Sequence, residues 1–303
     1  MTASIPLPQQ ASPHLPPVQA PAGPAPLPAA RAHLGHAIAS EWTKIRTVRS
    51  TVWTLVMMFV LTVGIGLLFA VSVSGDDYVG MPLLAGGFFG LMLGQICVIT
   101  LGVLVISSEY STGMMRTTLT ACPRRGRVLT AKAIVFFLLS FLMTFAACVP
   151  TALIQSALLS DQSVPEYAWD DVAMSESIER GELVATTGQV VGATVGAALY
   201  VSVLGLLALA VGALLRHSAG AITTMLGIVL LPLLAGLFLV GESLETAREK
   251  LIEYSPLNGL ASLFDIPIMG DEPNGGWSLL GLLAVITVAV LIAAYAKLNS
   301  TDA

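Results

Sequence analysis

Six stretches of this chain each run 20 residues or longer without a single Asp, Glu, Lys, Arg or His: 51–73, 82–106, 133–159, 188–215, 219–240 and 277–296. A hydrocarbon core about 30 Å thick takes roughly 20 apolar helical residues to cross. Inside it, every lipid-facing backbone N–H and C=O must be bonded within its own segment, which leaves helices as the form these stretches can take. The fold class that follows is an all-α membrane protein with six transmembrane helices. Charged residues are 11% of the chain and the mean hydropathy is +0.82, against about 25% charged in an ordinary soluble domain. Three cysteines with no CxxC pair give neither a disulfide framework nor a structural zinc site.

The basic residues set the orientation, because Lys and Arg stay on the cytoplasmic side. With both termini inside, the inner segments hold eleven Lys and Arg against Glu41, Glu109 and Asp302, a balance of +8. The outer loops then hold Arg180, Arg248 and Lys250 against 16 acids, a balance of −13, and the two add to the net charge of −5. The reverse topology would place the acidic loops in the cytoplasm, so both termini are expected there. Trp53 and Tyr295 near inner ends, and Tyr78 and Trp277 near outer ones, sit where amphipathic rings favour the headgroups.

Residues 1–33 form a Pro-rich tail: nine of the 17 prolines fall in the first 30 residues, without a charged or apolar pattern. Such a segment is expected to be a disordered cytoplasmic tail, and it lacks the features of a signal peptide. Over 34–50, Leu34, Ile38, Trp42 and Ile45 share one helical face, with His36, Glu41, Lys44, Arg46 and Arg49 opposite. A basic amphipathic helix with a Trp just before a span reads as lying in the inner membrane interface. A basic flank that only sets topology is the plainer alternative.

The loop 107–132 carries Met114, Met115, Leu119, Val128 and Leu129, too apolar for a solvated linker. Ser107, Ser108 and Thr112 could cap short helices there, and Pro123 would end the first. A short helix presenting Arg116, followed by Arg124, Arg125 and Arg127, suits docking to a protein surface; the other reading leaves those arginines setting topology and holding anionic headgroups. On the outer side, 160–183 and 241–276 are large enough for small structured elements. In the second, Leu244, Leu251 and Tyr254 can share a helical face, Pro256, Asn258 and Gly259 interrupt it, and 260–264 is apolar but too short to span. A helix that dips partway in is allowed if protein covers it; a surface loop is simpler.

Catalytic and nucleotide-binding motifs are missing: no GxxxxGK[ST], HExxH or GxSxG occurs. The chain is therefore not expected to be an enzyme, to bind a metal or to hydrolyse nucleotide, and no nucleic-acid partner is expected. The spans offer polar groups such as Gln95 and Gln155 but no ionisable relay, which weakens a self-powered secondary transporter. A membrane scaffold or immunity protein acting without turnover is the other rival. Gly86, Gly90 and Gly94 in the second span, and Gly188, Gly192 and Gly196 in the fourth, recur at steps of four. Such stripes let helices approach closely, within one protomer, at a dimer seam or along a cavity wall.

The run Glu109-Tyr-Ser-Thr-Gly113-Met114-Met115-Arg116, followed by Pro123, Arg127 and Lys132 between spans two and three, resembles the permease subunits of type-2 ABC exporters. Met114 stands where that family usually has Thr. The resemblance covers Leu34 to the C-terminus. It implies a membrane permease, paired with a second copy or a homologue, that exports a substrate with energy from a separate cytoplasmic ATPase holding ATP and Mg. It also implies a coupling element at Glu109, Gly113, Met114, Arg116, Pro123, Arg125 and Arg127, with Glu109 near a helix N-terminus and Arg116 facing the ATPase. Arg216, in the short connection before span five, would make a second contact. By the same analogy Gln95 and Pro232 are candidate pathway residues. The expected location is a bacterial cell membrane.

Overall fold

The computed structural model describes residues 33–74, 80–114, 125–160, 162–166, 178–179, 182–239, 241–266, 268 and 276–300. The Pro-rich tail, Tyr78, Arg116 and Pro123 lie outside them. The first helix is α1 (Leu34–Thr47), followed by α2 (Arg49–Val73), α3 (Ala85–Ser111) and α4 (Arg125–Leu159). A two-residue antiparallel pair, β1 (Ile178–Glu179) and β2 (Glu182–Leu183), precedes α5 (Thr187–Val191). Helix α5 runs through a π turn (Gly192–Gly196) into α6 (Ala197–Leu215), and then come α7 (Ser218–Phe238), α8 (Glu245–Glu253), α9 (Pro256–Ala261) and α10 (Gly276–Ser300). Six helices are long and apolar enough to cross a membrane, the architecture of a multi-pass membrane protein.

Helices α3 and α6 form the centre: α2 and α4 pack round them on one side and α10 against α6 on another. Apolar burial between helices contributes little in lipid, so close approach and dispersion must hold such a bundle together. The glycine stripe of α3 does this within the protomer. A Cβ at Gly90 would lie 2.5 Å from the Thr62 carbonyl oxygen, and one at Gly94 2.7 Å from the Thr62 hydroxyl, so backbone meets backbone between α2 and α3. Hydroxyls inside the spans spend their donors on carbonyls four residues back, as Thr62, Thr151, Ser202 and Thr287 do at 2.6–2.9 Å. Gln155 of α4 closes the start of α3: its amide nitrogen donates to the Leu84 carbonyl at 3.1 Å and its oxygen accepts from the Gly87 N–H at 3.0 Å.

Residues 257–264 are buried throughout. Pro256 does not interrupt a helix but opens α9, whose start is capped by the Ser255 hydroxyl accepting from the Asn258 N–H at 3.1 Å. The following turn enters the bundle, where Phe264 meets Phe88 edge-on at 6.3 Å. A Cβ at Gly192 would stand 2.6 Å from the Leu263 carbonyl oxygen, so the π turn is the place where α5–α6 accommodates this insertion. Of the fourth-span stripe, Gly192 and Gly196 thus pack on Leu263, whereas a Cβ at Gly188 would meet only the Thr186 hydroxyl, at 3.8 Å. The face expected from Leu244, Leu251 and Tyr254 is turned differently: Leu244 and Tyr254 are exposed, and Ile252 is the buried residue of α8, seated under Gly236.

Candidate functional site

Among the described residues, one of the largest fully buried side chains is charged: Lys132, with 1% exposure. Its ammonium donates at 2.7 Å to Glu41 Oε2 on α1 and at 2.7 Å to Glu109 Oε1 on α3. Lys44, one turn beyond Glu41, donates to Glu41 Oε1 at 2.9 Å and to Glu109 Oε1 at 3.0 Å. Two lysines and two glutamates thus alternate in a neutral quartet that ties together α1, α3 and α4. Isolated buried charges are prohibitively costly, and only such mutual pairing makes their burial tolerable. Burial works against the Lys44 ammonium, but hydrogen bonds to Glu41 and Glu109 outweigh it and hold its pKa above the ordinary lysine value.

Local folding explains how the quartet is assembled. Helix α3 does not stop at the edge of the apolar stretch but continues to Ser111, which places Glu109 in its last turn, buried. This corrects one expectation, since Ser107 and Ser108 lie inside that helix instead of capping new ones; the coupling helix expected after Glu109 falls largely outside the described residues. Thr112 is the C-cap, and Gly113 follows at φ 71°, the left-handed conformation that ends helices and that glycine adopts without strain. Helix α4 starts at Arg125, well before the apolar stretch, so Lys132 lies two turns inside it.

In α1 the acid does not sit on a solvated face as expected. Glu41 and Ile45 point inward and are buried, while Trp42 is 49% exposed. The buried acid finds its bases on Lys44 and Lys132, and the indole is left on the outside with Trp53, which is exposed as well. Glu41, Lys44 and Lys132 are thus site members that the motif alone did not mark as a group. A signal was present: Glu41 and Glu109 are the only acids between residue 1 and the end of the third span that fall on the basic side, amid eight Lys and Arg between Lys44 and Lys132 counting both.

The same end of the bundle gathers the other expected contacts. Arg216 adopts φ 54° after α6, and its guanidinium lies 5.2 Å from the centre of the Tyr110 ring, one residue from Glu109. His217 caps α7, its Nδ1 accepting from the Gly220 N–H at 3.0 Å. Lys297 of α10 donates to the Leu214 carbonyl at 2.9 Å, closing the end of α6. Gly113, Met114, Arg127 and Arg216 therefore belong to one end of the protein, Met114 being exposed there; Arg125 opens α4 at that end.

The two pathway candidates are not brought together. Gln95 is buried in the middle of α3, where its amide nitrogen donates to the Met92 carbonyl at 3.2 Å and its Oε1 has no partner. Pro232 interrupts the hydrogen bonding of α7 and lines an apolar groove of about 550 Å³ with Thr223, Gly227 and Leu231, closed at one side by Leu251 of α8. Among the described residues no group of His, Cys, Asp and Glu is placed to hold a metal ion. The arrangement is a buried electrostatic clasp that joins α1, α3 and α4. No family model matches this chain, and no curated protein matches it in sequence.

Proposed function

We propose that this chain is the permease subunit of an ABC exporter, moving its substrate with energy from a separate cytoplasmic ATPase that carries ATP and Mg. The observation that supports this reading most is the quartet Glu41–Lys44–Glu109–Lys132. It joins the two helices on either side of residues 112–124, since Glu109 lies on the incoming helix and Lys132 on the outgoing one. A push on that loop would be delivered to α1, α3 and α4 as one body, because packed interfaces switch between discrete arrangements and do not deform continuously. Apolar stretches free of Asp, Glu, Lys, Arg and His fit a protein that receives its energy from outside.

In this reading the quartet end faces the cytoplasm, as the charge balance predicts, and α1 lies along the inner headgroup layer with Trp42 directed to lipid. Arg116 and the basic residues after Pro123 meet the ATPase, and Arg216 supplies the smaller contact. The groove along Pro232 and the buried Gln95 are the pathway candidates, completed by a second permease copy or a homologue.

Purification of the tagged protein from its native membrane in mild detergent tests this. A P-loop ATPase should co-purify near one-to-one and be lost from an Arg116→Glu protein. Clean isolation without an ATPase, in a detergent that preserves a known exporter in parallel, would favour a self-contained transporter or a scaffold without turnover.

A further inference from the structure

Between α1, α2 and α3, beside the quartet, lies a cavity of about 350 Å³ whose walls join the apolar Ile45, Leu101 and Leu104 to the polar Lys44, Ser50 and Thr51. Thr51 is 6% exposed, yet among the described residues its hydroxyl makes no hydrogen bond. Hydroxyls beside it spend their donors on the carbonyl four residues back, Thr54 on Ser50 and Ser108 on Leu104. The Thr51 oxygen is not sealed by protein atoms but open to the cavity, so its partner must come from there. Lys44 supplies a second polar contact. Two of its three N–H donors go to Glu41 and Glu109, and its side chain is 30% exposed, which leaves the third donor for a ligand.

We propose that this cavity holds the phosphate of an anionic phospholipid, with phosphate oxygens on Lys44 Nζ and the Thr51 hydroxyl and the glycerol against Leu101 and Leu104. The carboxylates of the quartet do not oppose an anion there. Both Glu41 oxygens and Glu109 Oε1 accept from lysines, and Glu109 Oε2 is sealed inside the protein. Charge complementarity selects the class. The quartet is neutral, and the exposed Arg46 and Arg49 give this end of α1 and α2 a balance of +2. A monoanionic headgroup is offset by that surplus, whereas a zwitterionic one brings its own cation into a region already positive. The apolar wall selects a lipid over free phosphate, and so does the level of the cavity. Thr51 opens the apolar stretch of α2, Leu104 lies near the close of that of α3, and Trp42 and Trp53 are exposed on α1 and α2, as rings at the headgroups are. This inference needs the membrane location alone, not the exporter reading.

The full-length protein, reconstituted in equimolar phosphatidylglycerol, phosphatidylethanolamine and phosphatidylcholine and transferred to mild detergent, tests it by native mass spectrometry of retained lipid. Phosphatidylglycerol should be retained about tenfold over phosphatidylcholine, the equivalent of one hydrogen bond to a charged group, and excess inorganic phosphate should not displace it. Thr51→Val keeps the shape of the side chain and removes the hydroxyl. It should cut phosphatidylglycerol retention about fivefold with an unchanged melting temperature in lipid-free detergent, a separation that a purely structural hydroxyl would not give. Leu104→Trp, which fills the cavity and leaves the quartet untouched, should abolish the preference. Equal retention of glycerol and choline lipids, displacement by inorganic phosphate, or a preference that survives both substitutions, as diffuse attraction to Arg46 and Arg49 would, each overturns the proposal. The wild-type comparison decides even where a variant fails to fold.

Discussion

Replacing Lys132 with Met should destabilise this protein as much as a large apolar truncation in its core. The Lys132 ammonium lies 2.7 Å from each of two buried carboxylates, and at an effective dielectric of about 20 each contact is worth roughly 6 kcal/mol of gross attraction. Desolvation offsets most of that sum, so the intact pair adds little net stability. Removing the lysine alone is different, because Glu41 and Glu109, 5% and 6% exposed in their side chains, would then share only Lys44. Breaking a buried pair in this way costs about 3–5 kcal/mol. At about 2–4 °C per kcal/mol, the melting temperature in mild detergent, read by tryptophan fluorescence, should fall by about 10 °C. Adding Glu109→Gln restores neutrality, with Lys44 left on Glu41, and should recover half or more of the loss. A single-variant loss below about 1 kcal/mol, or a double variant as unstable as the two singles added, would refute the buried-clasp reasoning.

Other consequences are smaller. Gly90→Ala places a methyl 2.5 Å from the Thr62 carbonyl oxygen, and should cost about 1–3 kcal/mol by thermal denaturation; Gly188→Ala, whose methyl would make only an ordinary contact of 3.8 Å with the Thr186 hydroxyl, should be neutral. Gly113→Ala forces a side chain into φ 71° and should cost about 1 kcal/mol, with the loss seen as faster hydrogen exchange over the end of α3. Truncating the α7 cap with His217→Ala should cost about 1 kcal/mol and speed exchange at the Gly220 amide, whose N–H the imidazole accepts. Hydrogen bonds to Glu41 and Glu109 raise the Lys44 pKa. The stability it contributes is therefore complete below the unfolded lysine value of about 10.4, and is lost as pH rises through the native one. Melting temperature measured across that alkaline range should fall more steeply in the native protein than in Lys44→Met.

The six spans were legible because uncharged apolar runs of this length have one outcome in lipid: among the described residues four of the six helices contain the whole stretch that announced them, while α3 begins three residues inside its stretch and α7 ends two residues short of its own. Their ends were less legible. Periodicity in hydropathy stops where the lipid would, but α3 and α4 continue into polar sequence, where continuing the backbone hydrogen bonds carries Glu109 and Lys132 on helical turns. The burial of Glu41 was hidden for a related reason. A face count assigns Glu41 to the polar face, yet the acid is buried because two lysines, one of them 91 positions away, meet it there. Pairing across that separation leaves no local pattern. The glycine stripes were visible, and the choice among their readings was not: only the position of Thr62 and Leu263 opposite them makes Gly90 and Gly192 contacts within one protomer. Burial of 257–264 likewise depended on the π turn that makes room for Leu263.

The measurement that bears most directly on the exporter reading is site-specific photocrosslinking in native membranes, with a benzophenone side chain at Met114 or at Ser163. Met114 is exposed at the quartet end, and Ser163 is exposed in the segment that pairs with Glu182. The account predicts an adduct with a P-loop ATPase from Met114 and none from Ser163. Absence of an ATPase adduct at Met114, or one formed equally from Ser163, would contradict it.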